Sequence, residues 1–143
     1  MEGRCTCGAV RYRLASPPLF THCCHCRWCQ RQTGSACVVN AMIETDRIQL
    51  VAGQPEMVSI PSPSGMGQTV VRCPTCKIAL WSSYAVAGDD IRFVRACTLD
   101  DSDAFPLNSI FSPHTNSRGW SCHPPPLPSR NSTAPPTIGS RRA

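Results

Sequence analysis

The chain has 143 residues, of which 41% are hydrophobic and 6% aromatic, so it can fill one domain with a modest core. Eleven cysteines and 14 prolines exceed ordinary usage, and the fold is therefore expected to depend on disulfides or metal as well as on apolar burial. The net charge of +5 does not indicate a nucleic-acid-binding protein, because residues 104–143 contain four arginines and no acidic residue, which leaves residues 1–103 close to neutral.

Residues 1–103 have the pattern of short strands separated by turns, without a convincing helical period. Apolar and basic residues alternate over residues 10–14, which is typical of a half-buried strand. Residues 36–43 are mostly small or β-branched and predict a buried strand. We expect strands at 47–52 and 57–60 to be antiparallel neighbours. Further strands are predicted at 69–72, 80–84 and 91–97.

The composition changes after residue 103. Residues 104–143 contain eight of the 14 prolines and seven serines, with no periodic apolar pattern beyond Ile110 and Phe111. Such a segment cannot bury enough apolar area to offset the entropy of ordering it, so we predict a disordered tail. From about Gly119 onward it is expected to be dispensable for the fold.

Two further features of the sequence indicate the cellular compartment of the protein. The first residues contain no apolar segment typical of a signal peptide, and the longest apolar stretch, 36–43, is too short to cross a membrane. We therefore expect a cytoplasmic protein with no membrane association. In the reducing cytosol, clustered cysteines bind metal more often than they form disulfides, and an odd number of cysteines favours the same interpretation.

Two cysteine pairs lie at opposite ends of the predicted strands. A closed structural zinc site has four ligands, and these two pairs supply four thiols that would join the first strand to a late one. Two pairs of ordinary buried thiols are the alternative. The pairs are Cys5 with Cys7 and Cys73 with Cys76.

A separate triplet consists of Cys24, Cys26 and Cys29. Three thiolates leave the fourth position of a zinc ion open, whereas a fourth ligand from Cys23, His22 or His25 would close the site. Zinc held by three thiolates has a net charge of −1, so it activates water poorly and favours exchange with another thiol. Iron is a competitor at the four-thiol site, although the paired Cys-x-x-Cys turns of a rubredoxin-like centre are lacking.

Two arginines beside the triplet, Arg27 and Arg31, are candidates to attract an anionic thiol, and the alternative for each is a solvated surface charge. His25 is a candidate proton carrier, but it alternates with two of the thiols, so its side chain is expected to point away from them. The remaining cysteines are predicted not to bind metal. Cys23 should face away from Cys24, Cys37 and Cys97 should be small buried side chains, and Cys122 lies in the tail.

Three stretches of the sequence resemble one known family. They are residues 3–12 (GRCTCGAVRY), 25–36 (HCRWCQRQTGSA) and 72–76 (RCPTC), the last followed closely by Leu80 and Trp81. This pattern is similar to the glutathione-dependent formaldehyde-activating enzyme family, also called the CENP-V/GFA domain, over residues 3–111. The resemblance implies a mainly β fold of the Mss4-like (β-tent) type, in which antiparallel sheets are stapled by zinc.

The resemblance also implies the roles of the two cysteine groups. Cys5, Cys7, Cys73 and Cys76 would hold a structural zinc ion, and Cys24, Cys26 and Cys29 a second, catalytic-type zinc ion. The domain would span residues 1–111, and the Pro/Ser/Arg-rich tail residues 112–143. The activity named for the family is the reversible condensation of formaldehyde with glutathione to S-hydroxymethylglutathione, a carbon–sulfur lyase reaction in the reverse sense.

The sequence departs from the family pattern at three places. Lys77 stands where glycine is usual, Cys37 stands where an aromatic residue is common, and the residues after Phe111 differ from the usual ordered end.

Our main hypothesis is a zinc-dependent carbon–sulfur lyase acting on the adduct of a small thiol such as glutathione. The alternative is a non-catalytic zinc module that binds a protein partner. Nucleic-acid binding is the weakest hypothesis, because the few aromatic residues are scattered and the domain is near neutral.

Overall fold

The computed structural model describes residues 1–102 and 109–111. Within them, ten strands form two sheets, and one α-helix lies between the third and fourth strands. The predicted mainly β fold of antiparallel sheets is confirmed. The strands are β1 (Glu2–Arg4), β2 (Arg11–Leu14), β3 (Phe20–Cys24), β4 (Val38–Glu44), β5 (Ile48–Ala52), β6 (Glu56–Ile60), β7 (Gln68–Arg72), β8 (Ala79–Tyr84), β9 (Ile91–Arg95) and β10 (Ser109–Phe111), and helix α1 spans Arg27–Thr33.

The smaller sheet has the order β1-β2-β5, and the larger sheet has the order β10-β3-β4-β9-β8-β7-β6. Neighbouring strands are antiparallel except for β10, which pairs in parallel with β3. In that pairing Ser109 lies opposite His22 and Phe111 lies opposite Cys24. The strand that carries the cysteine-rich segment is therefore paired on both sides, by β4 and by β10.

The core lies between the two sheets and is centred on Tyr12, whose side chain is fully buried. Its ring meets the indole of Trp81 edge to face, with ring centres 5.4 Å apart. Its hydroxyl is 2.7 Å from Oγ1 of Thr98, so the polar end of the buried ring has a hydrogen-bond partner. Alternating apolar residues of β2, β4, β8 and β9 complete the core, namely Leu14, Ile43, Leu80 and Val94.

The predicted pairing of strands 47–52 and 57–60 is wrong. Strand β5 pairs with β2 in the smaller sheet, whereas β6 pairs with β7 at the edge of the larger sheet. Between them the backbone turns at Gly53, where φ is +77° and a Cβ atom would collide with the carbonyl oxygen of Ala9. Glycine at this close approach lets the chain leave one sheet and begin the other.

Two other expectations differ from the structure. Helix α1 was not predicted, and its seven residues are too few to show a helical period. Cys97, predicted to be buried at the end of a strand, is exposed in the 3-10 turn Ala96–Thr98, while Cys37 is half-buried just before β4. Strand β9 ends at Arg95, two residues earlier than predicted.

Some expectations concern residues outside those described. These are the disorder of residues 112–143, the dispensability of the chain from about Gly119, and the absence of a metal-binding role for Cys122. The boundary between a domain of residues 1–111 and a tail stays a prediction. Across the described part of the chain, no helix has the length and apolar character needed to span a membrane.

Candidate metal centres

The first cysteine cluster joins the two sheets. The sulfur atoms of Cys5, Cys7, Cys73 and Cys76 all lie within 4.8 Å of one another. The Sγ atom of Cys7 is 3.5 Å from that of Cys5 and 3.6 Å from that of Cys73. Four sulfurs bound tetrahedrally to one zinc ion are about 3.8 Å apart, given Zn–S bonds of about 2.3 Å. The spacing therefore suits a zinc ion at the centre of the cluster.

Backbone N–H groups surround these sulfurs. The N–H of Val10 donates to Sγ of Cys5 at 3.3 Å, and that of Thr75 donates to Sγ of Cys73 at 3.4 Å. Backbone N–H groups of Cys7 and Ile78 lower the pKa of Cys76 to about 6. Such donors stabilise thiolates, which are the form of cysteine that binds metal.

Repulsion between neighbouring sulfurs opposes the ionisation of Cys7 in this cluster. Cys7 accepts a backbone N–H from Ala9, but the neighbouring sulfur of Cys5 raises the pKa of Cys7 to about 11. The pKa of Cys76 is lowered at the same time, so negative charge on one sulfur opposes charge on the next. A divalent cation would remove this repulsion, and the cluster therefore could hold zinc.

The second cluster is assembled by the end of β3 and the start of α1. Cys24 is the last residue of β3, Cys26 caps the N-terminus of α1, and Cys29 lies one turn further along. Their sulfurs lie within 4.8 Å of one another. Sγ of Cys26 accepts the N–H of Cys29 at 3.3 Å, so the helix cap itself orients one of the thiols.

Electrostatic interactions within the triplet favour one thiolate. The thiol of Cys29 donates to Cys24 and lowers the pKa of Cys24 to about 6, and the same contact raises the pKa of Cys29. As in the first cluster, repulsion between the sulfurs opposes full ionisation, and a cation between them would remove it. The donor set is soft, which suits zinc, and the triplet also could hold an ion.

A cavity of about 440 Å³ opens beside the triplet. All three sulfur-bearing residues line it, and most of its wall is apolar or aromatic. The indole N–H of Trp28, in this wall, has no hydrogen-bond partner among the described residues. A buried donor without an acceptor beside a cavity is available to a bound molecule. The remaining wall residues include Phe20, His22, Met42, Tyr84 and Phe93.

A buried arginine lies close to the triplet. Arg95, on β9, is 7% exposed, and its guanidinium donates to Oδ1 of Asn40 at 2.5 Å and to Oε1 of Gln32 at 3.0 Å. Burial lowers the pKa of Arg95, while the hydroxyl of Tyr84 and the thiol of Cys29 act in the opposite direction. Arg95 therefore places a positive charge where the triplet accumulates negative charge.

Arg95 was not predicted as a site residue. The sequence offers one signal for it, since Asn40 interrupts the apolar residues of β4 and lies directly opposite Arg95 in the β4–β9 pair. The arginines predicted instead, Arg27 and Arg31, are exposed on α1, and neither is among the residues that line the cavity. Their proposed role in attracting a thiol stays a prediction.

The structure does not group the residues considered as a fourth ligand with the three sulfurs of the triplet. Cys23 and His25 point away from the triplet, as predicted from their alternation with Cys24 and Cys26, and they form a separate group with Cys37. His22 lies in the cavity wall, where its Nε2 is 3.4 Å from Nδ2 of Asn40. Among the described residues, the triplet thus contains three thiols and borders an open space.

The fold and the two cysteine clusters define a mainly β protein with thiol groups that could bind zinc. The family model described as glutathione-dependent formaldehyde-activating enzyme matches residues 1–114, and the chain belongs to this family. The resemblance drawn from the cysteine motifs is thereby confirmed.

The fold is also similar to a solved structure. A Rhodobacter sphaeroides protein of known crystal structure is 19% identical to this chain in sequence, and the two structures superpose with a TM-score of 0.57. The match covers 77% of this chain and 99% of that chain. This likeness shows the fold alone. No curated protein matches the chain.

Proposed function

We propose that the chain is a zinc-dependent carbon–sulfur lyase-type enzyme that makes or breaks the adduct of formaldehyde with a small thiol such as glutathione. The observation that carries this proposal is the triplet of Cys24, Cys26 and Cys29 in the wall of an apolar cavity. Membership of the family supports a reaction of this class.

The proposal assigns different roles to the two clusters. Cys5, Cys7, Cys73 and Cys76 would hold a structural zinc ion, since four thiols close its coordination. Cys24, Cys26 and Cys29 would hold a second ion, which supplies an open position for a substrate thiolate. Both roles need reduced thiols, which supports a cytoplasmic location.

In the condensation direction, a carbon–sulfur bond forms between the substrate sulfur and the carbonyl carbon of formaldehyde. The thiol proton is released to solvent, and the carbonyl oxygen takes up a proton. In the reverse direction, the same bond breaks and the aldehyde leaves. The apolar wall excludes bulk water from the adduct, and its volume of about 440 Å³ suits the reacting end of a thiol.

Three side chains beside the triplet suit this chemistry. Burial, together with the nearby Cys29, raises the pKa of Tyr84 to about 12, so its hydroxyl stays protonated and can donate to the carbonyl oxygen. Arg95 offsets the negative charge of the thiolates. The indole N–H of Trp28, which has no hydrogen-bond partner among the described residues, can hold a polar group of the substrate.

The test compares the wild type with Cys26→Ser. Serine caps a helix well, so this change keeps the hydrogen bond to the N–H of Cys29 and removes only the soft ligand. We expect formation of S-hydroxymethylglutathione from labelled formaldehyde, followed by NMR, to slow by at least about 100-fold. Cys97→Ser, at an exposed position outside both clusters, is the matched control and should react like the wild type.

X-ray absorption with added glutathione distinguishes the proposed enzyme from a non-catalytic zinc module. The number of sulfur ligands per zinc should rise in the wild type when glutathione is added, and it should rise less in Cys26→Ser. A wild type that neither accelerates the reaction nor responds to millimolar thiol would contradict the proposal and favour a non-catalytic zinc module that binds a protein partner.

A further inference from the structure

A third group of metal-ligand side chains lies outside both clusters. Donor atoms of Cys23, His25 and Cys37 all lie within 4.8 Å of one another. Nε2 of His25 is 3.3 Å from Sγ of Cys23, and both side chains are only 2% exposed. Cys37 is half-buried and gives the group one face toward solvent.

Strand geometry brings these residues together. Successive side chains alternate along the extended segment 23–26, so Cys23 and His25 share one face while Cys24 and Cys26 share the other. Cys23 lies opposite Val39 on β4, and Cys37 precedes the first residue of that strand. The β3–β4 register thus places the third side chain next to the other two.

The chemistry of the group suits zinc. Two thiolates and a neutral imidazole balance the charge of a divalent ion, so the complex is electrically neutral and costs less to bury than an ion held by three or four thiolates. Imidazole and thiolate are both good zinc ligands, and two cysteines with one histidine are a known ligand set for a site with an open fourth position.

We propose that Cys23, His25 and Cys37 form a third zinc site, separate from the two all-cysteine clusters. This proposal replaces the prediction from the sequence that Cys23 and Cys37 do not bind metal. The site depends on Cys37, one of the positions where this sequence departs from the family pattern. Because Cys37 is half-buried, a fourth ligand could reach the proposed site from solvent. The site lies across the β3 backbone from the triplet, so its existence does not depend on the reaction proposed above.

Cys37→Ser is the most informative variant, because Cys37 lies outside the segment that carries the triplet. We expect the zinc-saturated wild type to contain about three zinc ions per chain, and Cys37→Ser about two. Cys97→Ser is the matched control and should keep the wild-type zinc content. Cys37→His, which retains a donor atom, should restore the lost ion.

X-ray absorption gives a signature that a structural role of Cys37 would not produce. Among the described residues, the other two clusters contain only sulfur ligands, so we assign to His25 any imidazole scattering at about 2.0–2.1 Å from zinc that depends on Cys37. We expect this signal in the wild type and in Cys97→Ser, and its loss in folded Cys37→Ser. Equal zinc content in the wild type and Cys37→Ser would overturn the proposal. A disulfide between Cys23 and Cys37 in the zinc-saturated protein, seen as a mass deficit of about 2 Da, would overturn it as well.

Discussion

Lys77 has the only positive φ of any non-glycine residue within the described part of the chain, 62°. It closes the turn that begins at Cys73, where the N–H of Lys77 donates to the carbonyl oxygen of Cys73 at 3.0 Å. A side chain in this left-handed conformation carries a steric cost that glycine does not have. Lysine in place of the usual glycine therefore strains the backbone beside a cysteine cluster. The ion pair of Lys77 with Glu56 partly offsets this strain.

We expect Lys77→Gly to raise the free energy of unfolding by up to about 1 kcal/mol, because removal of the Cβ strain outweighs the loss of an exposed ion pair. Lys77→Val should lower it by at least about 1 kcal/mol, because a β-branched residue tolerates this conformation poorly. Urea denaturation of the zinc-loaded variants measures both changes. Equal stability of the glycine and valine variants would show that the turn is unstrained.

Cysteine spacing made both all-cysteine clusters predictable, because the members of each pair or triplet are neighbours in the sequence. Arg95 was not predictable in the same way. Its position beside the triplet depends on the pairing of β4 with β9, a contact between residues 40 and 95 that local patterns do not define.

At the scale of elements, alternation and β-branched residues located most strands of the larger sheet to within two residues. Strand β3 was missed, since its residues Phe20–Cys24 contain no apolar alternation. The pairing of β5 with β2 was also missed, because the turn at Gly53 separates the sheets and sequence patterns favour the nearest neighbour as a partner.

The first cysteine cluster connects the loop between β1 and β2 to the turn between β7 and β8. We expect Cys76→Ser to lower the melting temperature by at least about 10 °C, or to prevent folding, because a structural zinc site contributes folding free energy directly. Differential scanning calorimetry with and without zinc measures this change. Cys97→Ser is again the control, since Cys97 is exposed and outside the clusters. Unchanged melting and zinc content in Cys76→Ser would remove Cys76 from the ligand set.

At the scale of the whole molecule, the two sheets are held together by a core with a polar centre. Tyr12 of the smaller sheet contacts Trp81 of the larger sheet and shares a hydrogen bond with Thr98. Gly3 lies directly beneath the Tyr12 ring, where an added Cβ atom would be 2.6 Å from the hydroxyl oxygen. Close packing of this kind fixes how the sheets face each other.

Burial raises the pKa of Tyr12 to about 12, against 10.0 for an exposed tyrosine. The unfolded chain therefore loses this proton at lower pH than the folded chain does, and the contribution to stability is complete below pH 10 and declines as the pH rises toward 12. We expect the free energy of unfolding of the wild type to fall by about 1.4 kcal/mol more than that of Tyr12→Phe between pH 9 and pH 11.

Urea titrations of both proteins across this pH range test the expectation. Subtracting the Tyr12→Phe curve removes the contributions of Tyr84 and the cysteines, which the two proteins share. Parallel curves would mean that Tyr12 ionises equally easily in the folded and unfolded states.

The cysteines of the first cluster are synthesised at different times. Cys7 and Cys73 are 66 residues apart, whereas the triplet is contained in the segment from Cys24 to Cys29. At the usual translation rate of about 5–20 residues per second, Cys73 emerges from the ribosome roughly 3–13 s after Cys7. The nascent chain therefore completes the open triplet early, while Cys5 and Cys7 wait as a half-formed site until most of the larger sheet has been made.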